Sequence, residues 1–286
     1  MNSVREFAFS VCEVSPEVLR DIASNTRRLY SVRKKHEKGK VRQISEPSPL
    51  LKKILARVNR KVLATYPLPR CVQSRRGASA FTNAEIHLGQ PWLVRLDIEN
   101  FFPSITIDRV RELLRRRFGF GVELSALVAE LATLGGVVPQ GAPTSPSLGN
   151  LVLMDADREL ERSCERCGVK YSRWVDDLTF SGRSALKQLG FGIQVIKKHG
   201  FRIKRGKIEV AGSRKVQMVT GFLVDGNRPR LPKSMLADIV ARLVVAEGTS
   251  GPDRDRRAKS LFGLLAYANQ AEPEFVQEVR TRVESL

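Results

Sequence analysis

Three aspartates at the ends of strand-like segments could together hold metal ions. Asp97 ends the apolar segment WLVRLD, and Asp176 and Asp177 are adjacent inside YSRWVDDLTF. Neighbouring residues of a flat strand point to opposite faces, whereas at a tight turn both can lean toward one edge. If the strand of Asp97 lies beside that hairpin, the carboxylates repel one another unless cations lie between them. Hard oxygen ligands suit Mg²⁺, and two ions about 3.5–4 Å apart would support a phosphoryl transfer.

The alternative is that the three aspartates have only structural roles, two in a turn and one as a helix cap. The surrounding residues decide between a metal site and this alternative. In DIENFFPSI, Phe102 could place its ring under a bound sugar and exclude a 2′-hydroxyl, while Phe101 or Phe102 packs in the core. The segment PQGAPTSPS supplies Gln140 and Gly141 in a loop whose small residues let backbone approach a nucleotide. The same loop also serves as the entry to a helix.

The charge of the chain indicates a polyanionic partner. The 286 residues include 49 Lys and Arg and 30 Asp and Glu, which gives a formal net charge of +19. The basic residues are spread over many short clusters. Basic proteins bind nucleic acid because neutralised phosphates release counterions, although charge alone does not distinguish DNA from RNA or a binder from an enzyme. No apolar run approaches the roughly 20 residues of a membrane span. The N-terminal segment carries acidic residues and has no long apolar run, so it does not resemble a signal peptide. No membrane partner is therefore expected.

The four cysteines indicate a reducing compartment. The chain has only four cysteines, Cys12, Cys71, Cys164 and Cys167, which is too few for a disulfide-framed secreted domain. This low number predicts a cytoplasmic protein. Cys164 and Cys167 form a CxxC that could be half of a zinc site, but no second ligand pair follows it. Two ordinary thiols near a helix end is the preferred interpretation.

Composition and hydrophobic spacing divide the chain into three regions: a basic N-terminal part, a central α+β part and a helical C-terminal part. Predicted helices cover residues 16–30, 50–63, 108–117, 123–134, 147–164 and 185–199, with three more after residue 232. Predicted strands cover residues 41–44 after a turn at Gly39, residues 92–97, a strand–turn–strand over 171–182, strand-like segments at 201–205 and 207–210, and a hairpin over 216–227.

Several segments in register resemble one known family. LDIENFFPSI, PQGAPTSPSLGN and YSRWVDDLTFSG resemble the palm motifs of reverse transcriptases. FTNAEIHLG resembles the Asn-Ala-x-x-His signature of bacterial retron reverse transcriptases, and VTGFLVDGNRPRLPK resembles their Val-Thr-Gly element. The resemblance runs over residues 42–233. It implies an α+β right-hand polymerase with fingers and an N-terminal helical extension (1–90), a palm with an antiparallel sheet (91–230, including fingers–palm helices) and a short helical thumb (231–286).

The resemblance also implies roles for individual residues. It implies two Mg²⁺ ions, for which Mn²⁺ could substitute, bound by Asp97, the backbone of Ile98, Asp176 and Asp177, with Asp97 and Asp176 the more direct ligands. The implied nucleotide-binding residues are Arg42, Ile98, Glu99, Phe102, Gln140 and Gly141. Lys207 joins the three aspartates as a catalytic residue, because it corresponds to a lysine near the pyrophosphate that could protonate the leaving group.

Two positions depart from the family pattern. Trp174 stands where tyrosine is usual before the paired aspartates, which keeps an aromatic face and loses a hydroxyl. Lys204 stands where asparagine is common. We expect activity to be retained with altered fidelity or template handling, since all the acids are present.

The implied function is an RNA-directed DNA polymerase that copies part of a structured non-coding RNA into short single-stranded DNA. Priming from a 2′-hydroxyl of the same RNA would give a branched RNA–DNA hybrid (msDNA), made from dNTPs and used in anti-phage defence with an effector protein encoded nearby. The alternatives are a reverse transcriptase of another bacterial lineage, self-priming or intron-derived, and a non-catalytic RNA-binding scaffold. The intact acids argue against the scaffold.

Overall fold

The computed structural model describes residues 3–37 and 40–285, and the side chains of residues 35–42 lie outside that description. The helices of this part of the chain are α1 (Val4–Phe7), α2 (Pro16–Ser24), α3 (Pro49–Lys61), α4 (Ala80–Glu85), α5 (Ile107–Phe118), α6 (Val122–Ala132), α7 (Ser145–Arg166), α8 (Ala185–Lys198), α9 (Lys233–Glu247), α10 (Pro252–Ala268) and α11 (Pro273–Glu284). None of the helices described is long and apolar enough to cross a membrane.

The strands of the described chain form a central sheet and two separate hairpins. They are β1 (Tyr30–Glu37), β2 (Lys40–Pro47), β3 (Trp92–Asp97), β4 (Lys170–Trp174), β5 (Asp177–Ser181), β6 (Glu209–Gly212), β7 (Met218–Val219) and β8 (Phe222–Leu223). The central sheet has the order β4-β5-β3-β6, and every neighbouring pair in it is antiparallel. The predicted antiparallel sheet in an α+β fold is therefore confirmed.

Most predicted elements are present, and three are wrong in part. The helix predicted over 16–30 ends at Ser24, because the chain from Tyr30 onward pairs with β2 as a strand. The strand predicted over 201–205 is a single bridge between Ile98 and Ile203, followed by a 3₁₀ turn at Arg205–Lys207. The strand predicted over 207–210 begins two residues later, at β6, and the turn predicted at Gly39 lies outside the described residues.

The central sheet has one polar and one apolar face. Successive residues of a strand alternate between faces, so Leu93, Arg95 and Asp97 share one face of β3 and Val94 and Leu96 share the other. Helices α7 and α8 cover the apolar face over β3, β4 and β5, whose side chains on that face are buried. The polar face is consequently the one that can carry chemistry.

Close helix–sheet packing fixes the apolar face. A Cβ on Gly192 of α8 would lie 3.0 Å from Leu96 Cδ1, so the absence of a side chain there lets the helix approach β3. Tyr171 of β4 stacks on Phe180 of β5 with ring centroids 4.9 Å apart. These contacts make the sheet a rigid support for its polar face.

The C-terminal helices have a core of their own, which also holds the β7–β8 hairpin. Phe222 stacks on Tyr267 of α10 at 4.8 Å, and the Tyr267 hydroxyl donates to the Thr220 carbonyl at 2.8 Å. A Cβ on Gly221 would lie 2.5 Å from that hydroxyl, which explains the glycine at this position. The Thr220 hydroxyl in turn donates to the Ala80 carbonyl of α4 at 2.6 Å. The segments resembling retron signatures therefore meet where the C-terminal helices join the sheet.

His87, which closes the segment resembling the Asn-Ala-x-x-His signature, fastens the α4 region to the sheet. Its two ring nitrogens lie 2.7 Å from the hydroxyls of Ser181 on β5 and Ser172 on β4, and the ring is fully buried. Burial, and to a lesser degree the charge of Lys170, lower the pKa of His87 to about 3. The folded protein therefore holds a neutral imidazole at this position.

We predict that His87 makes the fold sensitive to mild acid. An unfolded imidazole takes up a proton as the pH falls through its ordinary pKa of 6.5, whereas the folded one does not until about 3. The stability that this group contributes is complete above pH 6.5 and is lost as the pH falls, by about 2 kcal/mol between pH 8 and pH 5. Urea unfolding of wild type and His87→Gln over this range measures it: the variant should be less stable overall but should lose about 2 kcal/mol less. Equal losses would contradict the assignment.

The loop over residues 139–144 is joined to β2 by its backbone. The Ser45 N–H donates to the Gln140 carbonyl at 2.7 Å. Gly141 has a φ of +119°, and a Cβ there would lie 2.7 Å from the Ser45 carbonyl oxygen. A glycine at position 141 is thus required twice, by its backbone angle and by the neighbouring strand.

Gly141→Ala should destabilise the protein more than Gly77→Ala. Both glycines have positive φ, but a Cβ on Gly77 would meet nothing within 4 Å. The Gly77 variant isolates backbone strain, which costs about 1 kcal/mol, and the Gly141 variant adds a clash for a total of about 2–4 kcal/mol. Denaturant unfolding of the pair gives the difference, and equal losses would show that the loop moves away from β2 without cost.

Candidate active site

The sheet register brings the three predicted acids together. Asp97 ends β3 directly opposite Asp177, the first residue of β5, so both side chains stand on the polar face. Asp176 lies in the turn between β4 and β5, and its carbonyl accepts a hydrogen bond from the Ile98 N–H at 2.9 Å. The predicted convergence of a strand-end aspartate with a turn pair is confirmed.

Two basic side chains offset part of this negative charge. The Lys207 ammonium donates to Asp97 Oδ2, which places this predicted catalytic residue beside the acids. Arg95 Nη2 donates to Asp177 Oδ2 at 2.5 Å, and Arg95 Nη1 donates to Glu209 on β6 at 2.8 Å. Sequence reasoning missed Arg95, although its place two residues before Asp97 on the same strand face could have indicated it.

Burial and the remaining repulsion raise the pKa of two of the acids. Burial, with the neighbouring charges of Asp97 and Asp177, raises the pKa of Asp176. Burial also raises the pKa of Asp177, with Arg95 opposing the shift and Asp97 adding to it. A nearby cation would stabilise the ionised form of both groups.

The acids differ in how they are held. Asp177 is committed to Arg95, whereas no lysine or arginine among the described residues forms an ion pair with Asp176. Within the same residues, no group of three or more His, Cys, Asp or Glu side chains forms a complete metal cage. Mg²⁺ commonly binds through one or two carboxylates and completes its shell with water and substrate phosphates. The donor chemistry at Asp97 and Asp176 fits that pattern.

The turn that carries Asp176 has a strained backbone. Val175 has a φ of +58°, a left-handed conformation that costs a residue with a side chain about 1–2 kcal/mol. Its N–H donates to Ser74 Oγ at 3.1 Å, and its carbonyl accepts from Arg173 Nη1 at 2.7 Å. A hydrogen bond from a charged group contributes about 1.5–3 kcal/mol, which is enough to hold the strained residue.

Arg173 is itself fixed by a buried ion pair on the apolar face of the sheet. It bonds Asp157 of α7 through Nε at 2.8 Å and Nη2 at 2.7 Å, and the two side chains are 0% and 1% exposed. Burial opposes the charge of the guanidinium, but Asp157 outweighs burial and raises the pKa of Arg173. Sequence reasoning missed this pair; an arginine at an inward position of an otherwise buried strand was the available signal.

The two phenylalanines after Asp97 have different environments. Phe101 is buried and lies 5.8 Å from the ring of Phe201, whereas Phe102 is partly exposed and contacts Phe101 at 5.2 Å. A Cβ on Gly149 of α7 would lie 2.9 Å from Phe101 and 3.4 Å from Phe102, so the glycine makes room for both rings. Phe101 is thus the core residue of the pair, and Phe102 is the one that remains partly exposed.

The other predicted nucleotide-binding residues lie in two places. Ile98 is buried and Glu99 is exposed, with the Glu99 N–H bonded to the Arg202 carbonyl at 2.8 Å. Gln140 and Gly141 lie against β2 through Ser45, as described above. The backbone of Arg42 lies in β2 opposite Lys35, and its side chain is outside the described part of the chain.

The CxxC cysteines lie at the end of α7. Cys164 is buried in the last turn of that helix, and Cys167 is exposed at its C-cap. Burial raises the pKa of the Cys164 thiol to about 12, which makes the thiolate unfavourable at neutral pH. This placement agrees with two ordinary thiols near a helix end.

Comparison of the sequence with known proteins identifies related enzymes. Residues 32–222 match the family model described as reverse transcriptase (RNA-dependent DNA polymerase). The retron Mx65 reverse transcriptase of Myxococcus xanthus is 33% identical over 273 residues, an alignment that covers 85% of this chain and 61% of the relative. The retron Ec86 reverse transcriptase of Escherichia coli is 28% identical over 250 residues, covering 85% of this chain and 78% of the relative. The chain therefore spans about three fifths of the Mx65 protein's length.

Comparison of the fold gives telomerase structures. Apo telomerase from Candida tropicalis aligns with a TM-score of 0.52 at 11% identity, over 90% of this chain and 56% of that one. Telomerase from Candida albicans, in complex with a fragment of telomeric RNA, aligns with a TM-score of 0.51 and the same identity and coverage. These likenesses confirm the predicted right-hand polymerase class of fold. Because the family match spans more than half of the chain and carries the acid-bearing sheet, the chain belongs to the reverse transcriptase family and is of the retron type.

Proposed function

We propose that this protein is an RNA-directed DNA polymerase that copies a structured non-coding RNA into short single-stranded DNA. The observation that carries the proposal is the register of Asp97 opposite Asp177, with Asp176 beside them and Lys207 bonded to Asp97. An arrangement of acids that repel one another and lie on an accessible sheet face suits cation-dependent phosphoryl transfer.

In the proposed mechanism, Asp97 and Asp176 would hold two Mg²⁺ ions, for which Mn²⁺ could substitute. The Ile98 carbonyl would be a further ligand, and Asp177 would support the site through its charge and its bond to Arg95. When bound, the ions would activate the primer hydroxyl and neutralise the triphosphate. Lys207, which is 36% exposed in its side chain, would give a proton to the departing pyrophosphate.

The other predicted residues would bind and select the nucleotide. Phe102, which is partly exposed, would place its ring below the sugar, and the backbone of Glu99 would face the phosphates. Gln140 and Gly141 would contact the nucleotide from the loop that lies against β2, and Arg42 of β2 would bind the triphosphate. The contact between that loop and β2 supports this proposal because it links the two segments before any substrate binds.

We assign residues 1–90 to the fingers, 91–230 to the palm and 231–286 to the thumb. The separate core of the C-terminal helices and their junction with the β7–β8 hairpin support the last boundary. The net charge of +19 would hold the RNA template, the primer and the RNA–DNA hybrid through their phosphates. The described cysteines are all unpaired thiols, which supports a cytoplasmic location.

The retron relatives support a finer proposal about the product. Synthesis would begin at a 2′-hydroxyl of the template RNA and leave a branched RNA–DNA molecule (msDNA), made from dNTPs. The complex would act in anti-phage defence with an effector protein encoded nearby. DNA recovered from the purified protein tests the branch: a free 5′ end would instead favour a self-priming or intron-derived enzyme.

Loss of the unpaired acid should abolish synthesis. Asp176→Asn keeps the size of the side chain and removes a charge that Mg²⁺ needs, so we expect at least a ~10³-fold loss of dNTP incorporation on an RNA template. Asp238→Asn, which breaks an exposed ion pair with Arg242, is the matched control and should retain full activity. Incorporation of labelled dNTP measures both. Undiminished synthesis by the Asp176 variant would refute its assignment to catalysis. Absence of synthesis by the wild type would leave the RNA-binding scaffold as the better explanation.

Phe102 should determine the choice between dNTPs and rNTPs. Phe102→Ala removes the ring proposed to exclude a 2′-hydroxyl, so the preference for dNTP over rNTP should fall about 10- to 100-fold. Phe101→Leu, which alters the adjacent buried ring, should reduce stability and leave the preference unchanged. The ratio of kcat/KM values for dCTP and CTP gives the preference. An unchanged ratio in the Phe102 variant would show that Phe102 does not select the sugar.

A further inference from the structure

We propose that Ser74 is a positioning residue for the polymerase reaction, acting through the turn that carries Asp176. Ser74 lies in the connector between α3 and α4, about one hundred residues before that turn. This inference rests on the proposed function, because it assigns Ser74 an effect on the catalytic step.

Ser74 belongs to a closed circuit of hydrogen bonds around the strained turn. Its hydroxyl accepts from the Val175 N–H at 3.1 Å and donates to Asn150 Oδ1 at 3.0 Å. Arg173 Nη1 donates to the same Asn150 oxygen at 3.1 Å and to the Val175 carbonyl at 2.7 Å. Both ends of Val175, the residue with φ of +58°, are therefore held, one by Ser74 and the other by Arg173.

The connector is fixed well enough to act as a support. The Arg173 N–H donates to the Cys71 carbonyl at 2.8 Å, and the Gln73 N–H donates to the Arg173 carbonyl at 2.9 Å, so the connector follows the edge of β4. The Asn150 amide donates to the Ser74 carbonyl at 2.8 Å, which fixes the backbone of Ser74 itself. The hydroxyl of Ser74 is thus held in place before it meets the turn.

The position of Val175 determines where Asp176 lies. The two residues are adjacent, and the Asp176 carbonyl is bonded to Ile98, the residue after Asp97. Rotation of the Val175 backbone toward an unstrained conformation would displace the Asp176 carboxylate relative to Asp97. Small displacements of catalytic groups slow reactions strongly while ground-state binding is kept.

Ser74 can be altered with little disturbance of the core. Its side chain is partly exposed, unlike the buried Arg173 and Asp157, whose substitution would leave an unpaired charge inside the protein. Ser74→Ala removes the hydroxyl, and Ser74→Thr restores it with one more methyl group. Ser10→Ala is a control, because the Ser10 hydroxyl is exposed and bonds the Glu6 carbonyl of the N-terminal helix.

The test combines hydrogen exchange with steady-state kinetics on the full chain. In Ser74→Ala we expect the amide of Val175, followed in a peptide over residues 172–178 by mass spectrometry, to exchange about fivefold faster. We expect kcat for dNTP incorporation to fall about 10- to 100-fold with KM for dNTP unchanged. Ser74→Thr should recover both values, and Ser10→Ala should match the wild type in both.

Three results would overturn the proposal. Unchanged exchange at residues 172–178 in Ser74→Ala would show that the hydroxyl does not hold the turn. Faster exchange with an unchanged kcat would show that the turn does not need holding. A fall in kcat that Ser74→Thr does not recover, together with a lower Tm, would indicate general destabilisation. A wild-type protein that makes no DNA would refute the proposed function instead, and the exchange comparison would still decide whether Ser74 holds the turn.

Discussion

The central constraint of this molecule is the register that sets Asp97 directly opposite Asp177. Like charges at opposite positions of neighbouring strands destabilise a sheet, so the surrounding residues must offset them. Arg95 forms an ion pair with Asp177, and Lys207 forms one with Asp97. Asp176 has a raised pKa and no ion-pair partner among the described residues. The site is therefore arranged around unbalanced negative charge, in a chain that is otherwise strongly basic.

A sheet with this charge on one face needs a firm second face. The apolar face supplies it through side chains buried under α7 and α8 and through the pair of Arg173 and Asp157. A buried ion pair adds little net stability once desolvation is counted, but it enforces one geometry when both partners are fully bonded. Here that geometry includes the Val175 carbonyl, so the ion pair beneath the sheet also fixes the turn above it.

The sequence was sufficient to predict the parts of the fold that depend on local patterns. The strand ending at Asp97, the turn at Asp176 and the three C-terminal helices follow from apolar spacing and were predicted. The strand at Tyr30–Glu37 was missed because residues 31–34 are exposed and two of them are basic, so no apolar alternation marks a segment that pairs with β2 through its backbone. Spacing alone places Arg95 on the face of Asp97, but its partner Asp177 is 82 residues away, and the partner of Ser74 is 101 residues away. Local patterns record neither contact.

The same distinction applies to two of the four described non-glycine residues with positive φ. Val175 and Thr220 have positive φ, and each lies in a segment that the sequence already marked as functional. Each is held from outside its own segment: Val175 by Ser74, and Thr220 by Tyr267 of α10 and the backbone of Ala80. A strained turn persists only when its surroundings over-determine it. The functional segments are therefore readable in the sequence, whereas the residues that make their conformations possible are distributed over the connector, α4 and the C-terminal helices, and only the folded structure connects them.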